Sequence, residues 1–326
     1  MNVYIFGTGT WGIALAKVLF DNGHQVTCWS KFNEEISLLK TTRKQPNLKE
    51  LIIPEQILFT TDASLAKGAD LVIFATPSNF IRSTALTFKP YFHQQVLVSV
   101  AKGIESSSLL TMSEVIEEVL NIEEQVVALT GPTHAEEVSL KIPTCIVSAC
   151  PNETNAKIVQ KAFHSDVFRV YTNSDRRGSE LCGAFKNIIA LACGISDGLG
   201  FGDNTKAALI TRGIKELKRL GQSLGCDNET FAGLAGVGDL IVTATSKHSR
   251  NNHCGYLLGK GYDVDSAIKE VGMVVEGYNA LPAAKQLIDQ NNISMPIVNA
   301  VYDVCFNHKN IKNVVIDIMN RDMKDE

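Results

Sequence analysis

The sequence has no surplus of charge of either sign worth the name: 31 Lys and Arg stand against 35 Asp and Glu, for a formal charge of −4. Without a basic excess there is no global attraction to nucleic acid or anionic lipid, so an anionic ligand must be held by a few local cations. Long apolar runs are missing as well. No stretch reaches the ~18 uninterrupted apolar residues of a membrane helix, so no integral membrane contact is expected. The segment nearest the N-terminus is broken by Gly7-Thr8-Gly9 and by Asp21-Asn22-Gly23. Its opening, Asn2-Val3-Tyr4-Ile5-Phe6, has neither a basic leader nor a small-residue cleavage site, and the protein is expected to be soluble and cytoplasmic. Cysteine pairs are absent too. The eight cysteines are scattered with no C-x-x-C among them, which reads as reduced, mostly buried thiols. His248, His253 and Cys254 come nearest to a metal cluster, but a second ligand pair at zinc spacing is lacking, so no metal is expected. Internal repeats, low-complexity segments and long linkers are lacking as well.

What is present is the material of a globular enzyme. A chain of 326 residues, 45% of them hydrophobic, suggests about two domains with a real core. Short apolar runs rich in Val and Ile, at 3–6, 25–29, 71–75, 96–100, 126–129 and 144–148, read as strands covered on both faces. Helical patterns such as 12–20 and 109–120 lie between them, and this alternation predicts a parallel, doubly wound, Rossmann-like α/β sheet. Beyond about residue 178 the strand signal stops. The stretches 179–194, 205–224, 251–258, 266–271 and 277–290 read as helices, which predicts a dinucleotide-binding domain over 1–178 and an all-α substrate or catalytic domain over 179–326.

Gly7-Thr8-Gly9-Thr10-Trp11-Gly12 is a G-x-G-x-x-G that follows a strand and opens a helix. Gly7 permits the tight turn, Gly9 lets a pyrophosphate approach the backbone, and Gly12 lets helix and strand pack closely. The free N–H groups at the helix start then hold the phosphates. An NAD-selective site places an acidic residue at the end of the second strand to bind the ribose 2′-hydroxyl. Here Ser30 and Lys31 stand there, a hydroxyl and a cation that suit a 2′-phosphate, so NADPH is favoured over NADH.

In the second half, residues 181–193 are apolar almost all the way round, as in a buried helix. Lys186 lies within this run, with Cys182, Gly183, Ile189 and Ala190 as helical neighbours. Burial disfavours an ammonium, which makes Lys186 a candidate proton donor and acceptor; a lysine snorkelling to the surface is the alternative. Asp239 is similarly isolated among apolar residues and needs a partner, for which Lys186 is the natural candidate, unless it sits in an exposed turn. Ser246-Lys247-His248-Ser249-Arg250-Asn251-Asn252 offers a helix cap, free backbone donors and a guanidinium fork, either a phosphate seat or an ordinary polar loop. Lys102 and the segment from Gly131 to Glu137 each follow a strand's carboxyl end, where ligands lie in open α/β sheets.

Taken in order, these segments resemble the NAD(P)-dependent glycerol-3-phosphate dehydrogenase family. The matching pieces are Gly7 to Gly12, Ala75-Thr76-Pro77-Ser78, Ala101-Lys102-Gly103-Ile104-Glu105, Gly131-Pro132-Thr133-His134-Ala135-Glu136-Glu137, Ala184-Phe185-Lys186-Asn187, Gly236-Val237-Gly238-Asp239-Leu240, Ser249-Arg250-Asn251 and Val275-Glu276-Gly277. The resemblance implies reversible reduction of dihydroxyacetone phosphate to sn-glycerol 3-phosphate for phospholipid synthesis, in a homodimer. It makes Lys186 the proton donor or acceptor and puts Lys102 against both substrate and cofactor. Gly131, Thr133, Asp239, Ser249, Arg250 and Asn251 would line the substrate. Thr10, Trp11, Lys31, Ala135, Arg250, Val274 and Glu276 would serve the nucleotide. The chain departs from the family at Thr133 and His134, where Ser and Phe are common, and at Lys31, which replaces a frequent Arg. A 3-hydroxyacid or 6-phosphogluconate-type dehydrogenase, or a non-catalytic NADPH sensor, is the competing reading.

Overall fold

The computed structural model describes residues 1–246 and 249–323. They form two compact units, the first of residues 1–105 and 110–180, the second of residues 106–109 and 181–326. Lys247 and His248, read above as part of a phosphate loop and of a metal cluster, lie outside the described residues.

The first unit runs β1 (Asn2–Phe6), α1 (Thr10–Asp21), β2 (Gln25–Trp29), α2 (Asn33–Thr42), β3 (Leu58–Thr60), β4 (Leu71–Phe74), α3 (Ile81–Phe88), β5 (Val96–Ser99), α4 (Met112–Leu120), β6 (Val127–Thr130), α5 (Ala135–Ser139), β7 (Thr144–Ala149), α6 (Glu153–Phe163) and β8 (Phe168–Asn173). The strands make one sheet in the order β3-β2-β1-β4-β5-β6-β7-β8. Both faces are covered. Ile5, Ile73 and Val98 bury one side against Ile13 and Leu15 of α1. On the other, Phe6 stacks on Phe74 at 5.6 Å and meets Phe88 of α3 edge-on at 5.7 Å. This double burial is why the central strands are written as unbroken apolar runs. From β1 the chain winds outward to β2 and β3, then crosses to β4, so β1 and β4 flank the point where winding reverses.

The sheet is mixed rather than wholly parallel. β6 and β7 pair antiparallel, with Ala128 opposite Ala149, while the other pairs are parallel. A parallel return needs a crossover long enough to run back along the strand. The connection here holds only the five-residue α5, which spans roughly 7.5 Å at 1.5 Å per residue. The eleven residues of α6 suffice, and β8 is again parallel to β7. Two edge strands, β3 and β8, extend the sheet beyond the six expected.

At the end of the unit Arg176 forks onto Glu117 of α4, with both guanidinium nitrogens on the two carboxylate oxygens at 2.5 and 2.8 Å. Glu180 accepts from the Ser113 amide at 2.9 Å, from the Thr111 hydroxyl at 2.7 Å and from the Ser113 hydroxyl. These contacts fasten the first turns of α7 (Arg176–Gly198) along α4, at its start and past its middle. From Leu181 onward α7 belongs to the second unit.

That unit continues with α8 (Asp203–Ser223), α9 (Asn228–Ala232), a π-helical turn (Leu234–Gly238), α10 (Asp239–Thr245), α11 (Arg250–Gly259), α12 (Val264–Val271), α13 (Glu276–Gln290), α14 (Pro296–Phe306) and α15 (Ile311–Met319). No strand lies in its described part. Among the described residues no helix is long and apolar enough to cross a membrane. The expected helices are all present; α9, α10, α14, α15 and the π-helical turn are additional.

Pro296 opens α14, and Glu216 of α8 accepts from the next two amides, Ile297 at 2.8 Å and Val298 at 3.3 Å. Burial pushes the Glu216 carboxyl up from 4.5 to about 7, against the pull of these amides and of Arg219 and Arg321. The folded protein therefore holds this proton to a higher pH than the unfolded chain does. Stability from this group declines as pH rises from about 4.5 to about 7 and is flat above. Glu216→Gln, which cannot ionise, should gain melting temperature relative to the parent as pH goes from 5 to 8, by the equivalent of a few kcal/mol at most. A difference between the two that stays constant over this range would disprove the assignment.

Candidate active site

In the first unit, Gly7 leaves β1 with φ +125°, and a Cβ there would lie 2.6 Å from the Ala75 carbonyl at the end of β4. A Cβ on Gly12 would come within 2.4 Å of the Gly7 carbonyl. Strand, turn and helix are therefore packed backbone to backbone. At Gly9, the N-cap of α1, a Cβ would meet nothing within 4 Å, and no side chain caps the helix. The first amides of α1 thus face an open space that the packing of Gly7 and Gly12 defines, which is a cradle for a dinucleotide pyrophosphate. The residues fit that group. Thr10 and Trp11 sit half-exposed at its edge.

Lys31 is exposed, its ammonium 5.0 Å from the centre of the Phe32 ring and 5.1 Å from that of Phe80. Ser30 is buried, donates to Glu35 at 2.5 Å and accepts from the Phe32 amide at 3.2 Å. The two residues expected to share a 2′-phosphate are therefore in different situations: Lys31 is at the surface, and the serine hydroxyl is engaged with a carboxylate.

Lys102 donates to the Gly131 carbonyl at 3.2 Å, and Thr133 donates to the same oxygen at 3.1 Å. Gly131 has φ +151°, and a Cβ would press on the Ile146 backbone at 3.2 Å. Ala135 is buried as the first residue of α5, and His134 stands at that helix's N-cap. Lys102, Gly131 and Thr133 thus form one cluster at the carboxyl ends of β5 and β6.

In the second unit, Lys186 and Asp239 are 6% and 0% exposed and form a direct ion pair. Lys186 also donates to the Thr243 hydroxyl at 2.7 Å, and that hydroxyl donates to the Asp239 carbonyl at 2.7 Å. Lys186 does not snorkel, and Asp239 is no exposed turn residue but the first residue of α10. The π-helical turn brings it there, because a Cβ on Gly236 would lie 2.1 Å from the Phe231 carbonyl. Thr243 was not singled out from the sequence; its signal is the spacing i+4 from Asp239, the same face of one helix.

Beside this pair, Asn251 donates to the Asn187 side chain at 2.9 Å and accepts from the Gly277 amide at 2.8 Å, tying α7, α11 and α13 together. The backbones come close enough for this because four glycines line the contact. A Cβ on Gly194 would be 2.0 Å from the Asn252 carbonyl, and one on Gly255 would be 2.1 Å from that of Leu191. Gly198 and Gly259 repeat the arrangement one turn on. Ser249 caps α11 by accepting from Asn252 at 3.2 Å, and Arg250 is exposed at its first turn. Val274 is exposed and Glu276 partly so, at the start of α13. Among the described residues no three His, Cys, Asp or Glu side chains gather as metal ligands.

Two family models account for most of the chain. The model for the N-terminus of NAD-dependent glycerol-3-phosphate dehydrogenase matches residues 2–156, and that for its C-terminus matches residues 175–316. A curated relative from Lactobacillus delbrueckii subsp. bulgaricus, glycerol-3-phosphate dehydrogenase [NAD(P)+] 2, is 52% identical over 99% of this chain and 98% of its own length. One from Oceanobacillus iheyensis, glycerol-3-phosphate dehydrogenase [NAD(P)+], is 46% identical over 99% and 95%. The crystal structure of glycerol-3-phosphate dehydrogenase from Coxiella burnetii superposes with a TM-score of 0.93 at 33% identity, covering 98% of this chain and 99% of that one.

The glycine contacts make a prediction. Gly255→Ala forces a methyl onto a backbone carbonyl, and overpacking of this kind costs about 1–3 kcal/mol, or a melting temperature lower by roughly 2–10 °C. Gly68→Ala, where a Cβ meets nothing within 4 Å, should leave the melting temperature nearly unchanged. Equal melting curves for the two variants would refute the close approach of α7 and α11.

Proposed function

Because the chain belongs to the NAD-dependent glycerol-3-phosphate dehydrogenase family, we propose that Lys186 moves the proton as the protein reversibly reduces dihydroxyacetone phosphate to sn-glycerol 3-phosphate with NAD(P)H. The observation that carries the assignment is the buried contact of Lys186 with Asp239 and Thr243. An ammonium fixed by a carboxylate and a hydroxyl has a set position and is shielded from bulk water. It stabilises negative charge growing on a ketone oxygen and delivers the proton as that oxygen becomes an alcohol. In the oxidative direction the neutral amine takes the proton back. Asp239 holds the ammonium in place through both states, and Thr243 fixes its direction.

The bound cofactor supplies or accepts the hydride. Gly7, Gly9, Thr10, Trp11 and Gly12 hold its pyrophosphate through the start of α1, and Ala135, Val274 and Glu276 contribute further nucleotide contacts. Lys31 supplies the cation for a 2′-phosphate, which favours NADPH, while the Glu35 carboxylate on Ser30 keeps that preference modest. Lys102, Gly131 and Thr133 serve the substrate from the first unit, Lys102 meeting the cofactor as well. Ser249, Arg250 and Asn251 seat the substrate phosphate. That phosphate takes no part in the chemistry, but its binding energy positions the ketone. The division of labour is a nucleotide domain over residues 1–178 and a catalytic domain over 179–326. We place the enzyme in the cytoplasm as a homodimer that feeds glycerophospholipid synthesis.

Purified protein should oxidise NADPH with dihydroxyacetone phosphate and fail with unphosphorylated dihydroxyacetone. Equal rates with the two ketones would remove the phosphate from recognition. Lys186→Ala should cut turnover by roughly 10²–10⁴-fold, as loss of a general acid or base does, with NADPH affinity little changed. Near-parental turnover would take Lys186 out of the mechanism. Arg250→Ala should act mainly on KM for the phosphorylated ketone; an unchanged KM would sink the phosphate seat.

A further inference from the structure

The second unit contains a cavity of about 390 Å³, open on one side and lined chiefly by α7, α8, α14 and α15, well inside the size range of small-molecule pockets. It is separate from the Lys186 cluster. Ala192 and Ile195 of α7 face it, and at 3.6 residues per turn they lie roughly 180–240° around the helix from Lys186; Leu199, just past the helix end, lines it too. Its walls are hydrocarbon, with Leu209, Val301 and Val315 typical of them. Its charged groups are few, and the cations outnumber the anions. Arg212, Arg219 and Arg321 line it together with Glu216 and Asp322. Of the two carboxylates, Glu216 is occupied by the amides at the start of α14 and is held toward its neutral form by burial. The Arg219 Nε is buried and has no hydrogen-bond partner among the described residues. A buried donor left unmatched is costly and calls for an acceptor.

We infer that this cavity binds a single-chain amphiphile with an anionic head, its alkyl chain between the four helices and its head on the guanidinium of Arg219. The unmatched Nε of Arg219 selects the head, since the neighbouring Glu216 is already satisfied by backbone donors. The apolar walls select the tail. Neither a compact polar metabolite nor a cation matches this lining. The site stands independently of the dehydrogenase chemistry, since its walls share no side chain with the residues assigned to that reaction.

Alkyl phosphates are suitable probes, used below their micelle concentrations with the full chain and without substrate or nucleotide. In titration calorimetry, affinity should rise from hexyl to decyl phosphate by up to about fourfold per added methylene until the cavity is filled. Decyl phosphate should bind at least tenfold more tightly than decanol, and decyltrimethylammonium should not compete with it. Arg219→Gln should abolish the advantage of phosphate over alcohol while leaving decanol binding in place. Ala300→Phe, which fills the cavity from α14, should abolish binding of both, and Ala208→Leu at the exposed mouth serves the same purpose if the first variant does not fold. Binding that is indifferent to head charge, or unchanged by the filling variants, would overturn the proposal. So would an absence of binding coupled to a dimer that Ala300→Phe dissociates, because the cavity would then be covered by a second copy. None of these readings depends on turnover of dihydroxyacetone phosphate.

Discussion

An ammonium and a carboxylate buried together cannot be parted without leaving one charge alone in an apolar interior, and removing one partner of such a pair costs ~3–5 kcal/mol. Lys186 and Asp239 stand in this relation, on helices 53 residues apart in sequence. The constraint explains several local features at once. α7 must be apolar around its circumference, since its lysine is supplied with a counter-charge from another helix. α10 must begin at Asp239, and the π-helical turn over Leu234–Gly238 sets that start through glycines that let it fold onto Phe231. Thr243 then falls one turn on, where its hydroxyl meets the ammonium. The pair contributes little net stability of its own, because desolvation offsets most of its attraction; what it confers is a fixed position for one nitrogen.

The same economy governs the two helix starts assigned to phosphates. α1 begins at a glycine with no side-chain cap and open space above it, so its leading amides have no ligand from the protein. A bound pyrophosphate completes that helix end as a cap would. α11 differs: the Ser249 hydroxyl already takes the Asn252 amide, and Asn251 is committed to Asn187 and Gly277. Its anion-binding capacity therefore rests on the exposed Arg250 guanidinium more than on backbone donors. On the proposed assignments a dinucleotide would be held chiefly by main chain and a small phosphate ester chiefly by a side chain, and only the latter is readily altered by substitution.

What could be read in the sequence follows from how burial writes itself into residue patterns. Strands covered on both faces become continuous apolar runs, and β1, β2, β4 and β5 were legible for that reason. β8 is an edge strand in which Phe168 and Val170 are buried while Arg169 and Tyr171 are exposed, so its signal is an alternation that a search for apolar runs passes over. β3 has three residues and too little pattern to find. The antiparallel β6–β7 pairing had no signal in the strands themselves, because direction is set by the shortness of α5. Charges isolated in apolar surroundings made Lys186 and Asp239 legible as candidates, since each demands a partner. Asn187 and the glycines at 194, 198, 255 and 259 were not recognised as a contact. Their signal, small residues four apart on two helices, acquires meaning only once the helices are known to be neighbours.

That glycine contact also accounts for how α7 serves two purposes. A long helix with one polar site normally presents a single buried face and leaves the other to solvent. α7 is enclosed on every side between Leu181 and Cys193. With α11 only a backbone's distance away, Asn187 is reached from one direction and Lys186 is met by α10. α8 packs close to Lys186 as well: Gly213 sits so near Ile189, the next turn on the lysine's own side, that a Cβ would be 2.9 Å from its side chain. Further along, the contact loosens around Ala192, Ile195 and Leu199 and the cavity opens. Tight packing near the lysine and loose packing two to three turns away are therefore properties of one rigid element. A ligand filling the loose end would add contacts to the helix that carries Lys186 without touching Lys186, Asp239 or Thr243.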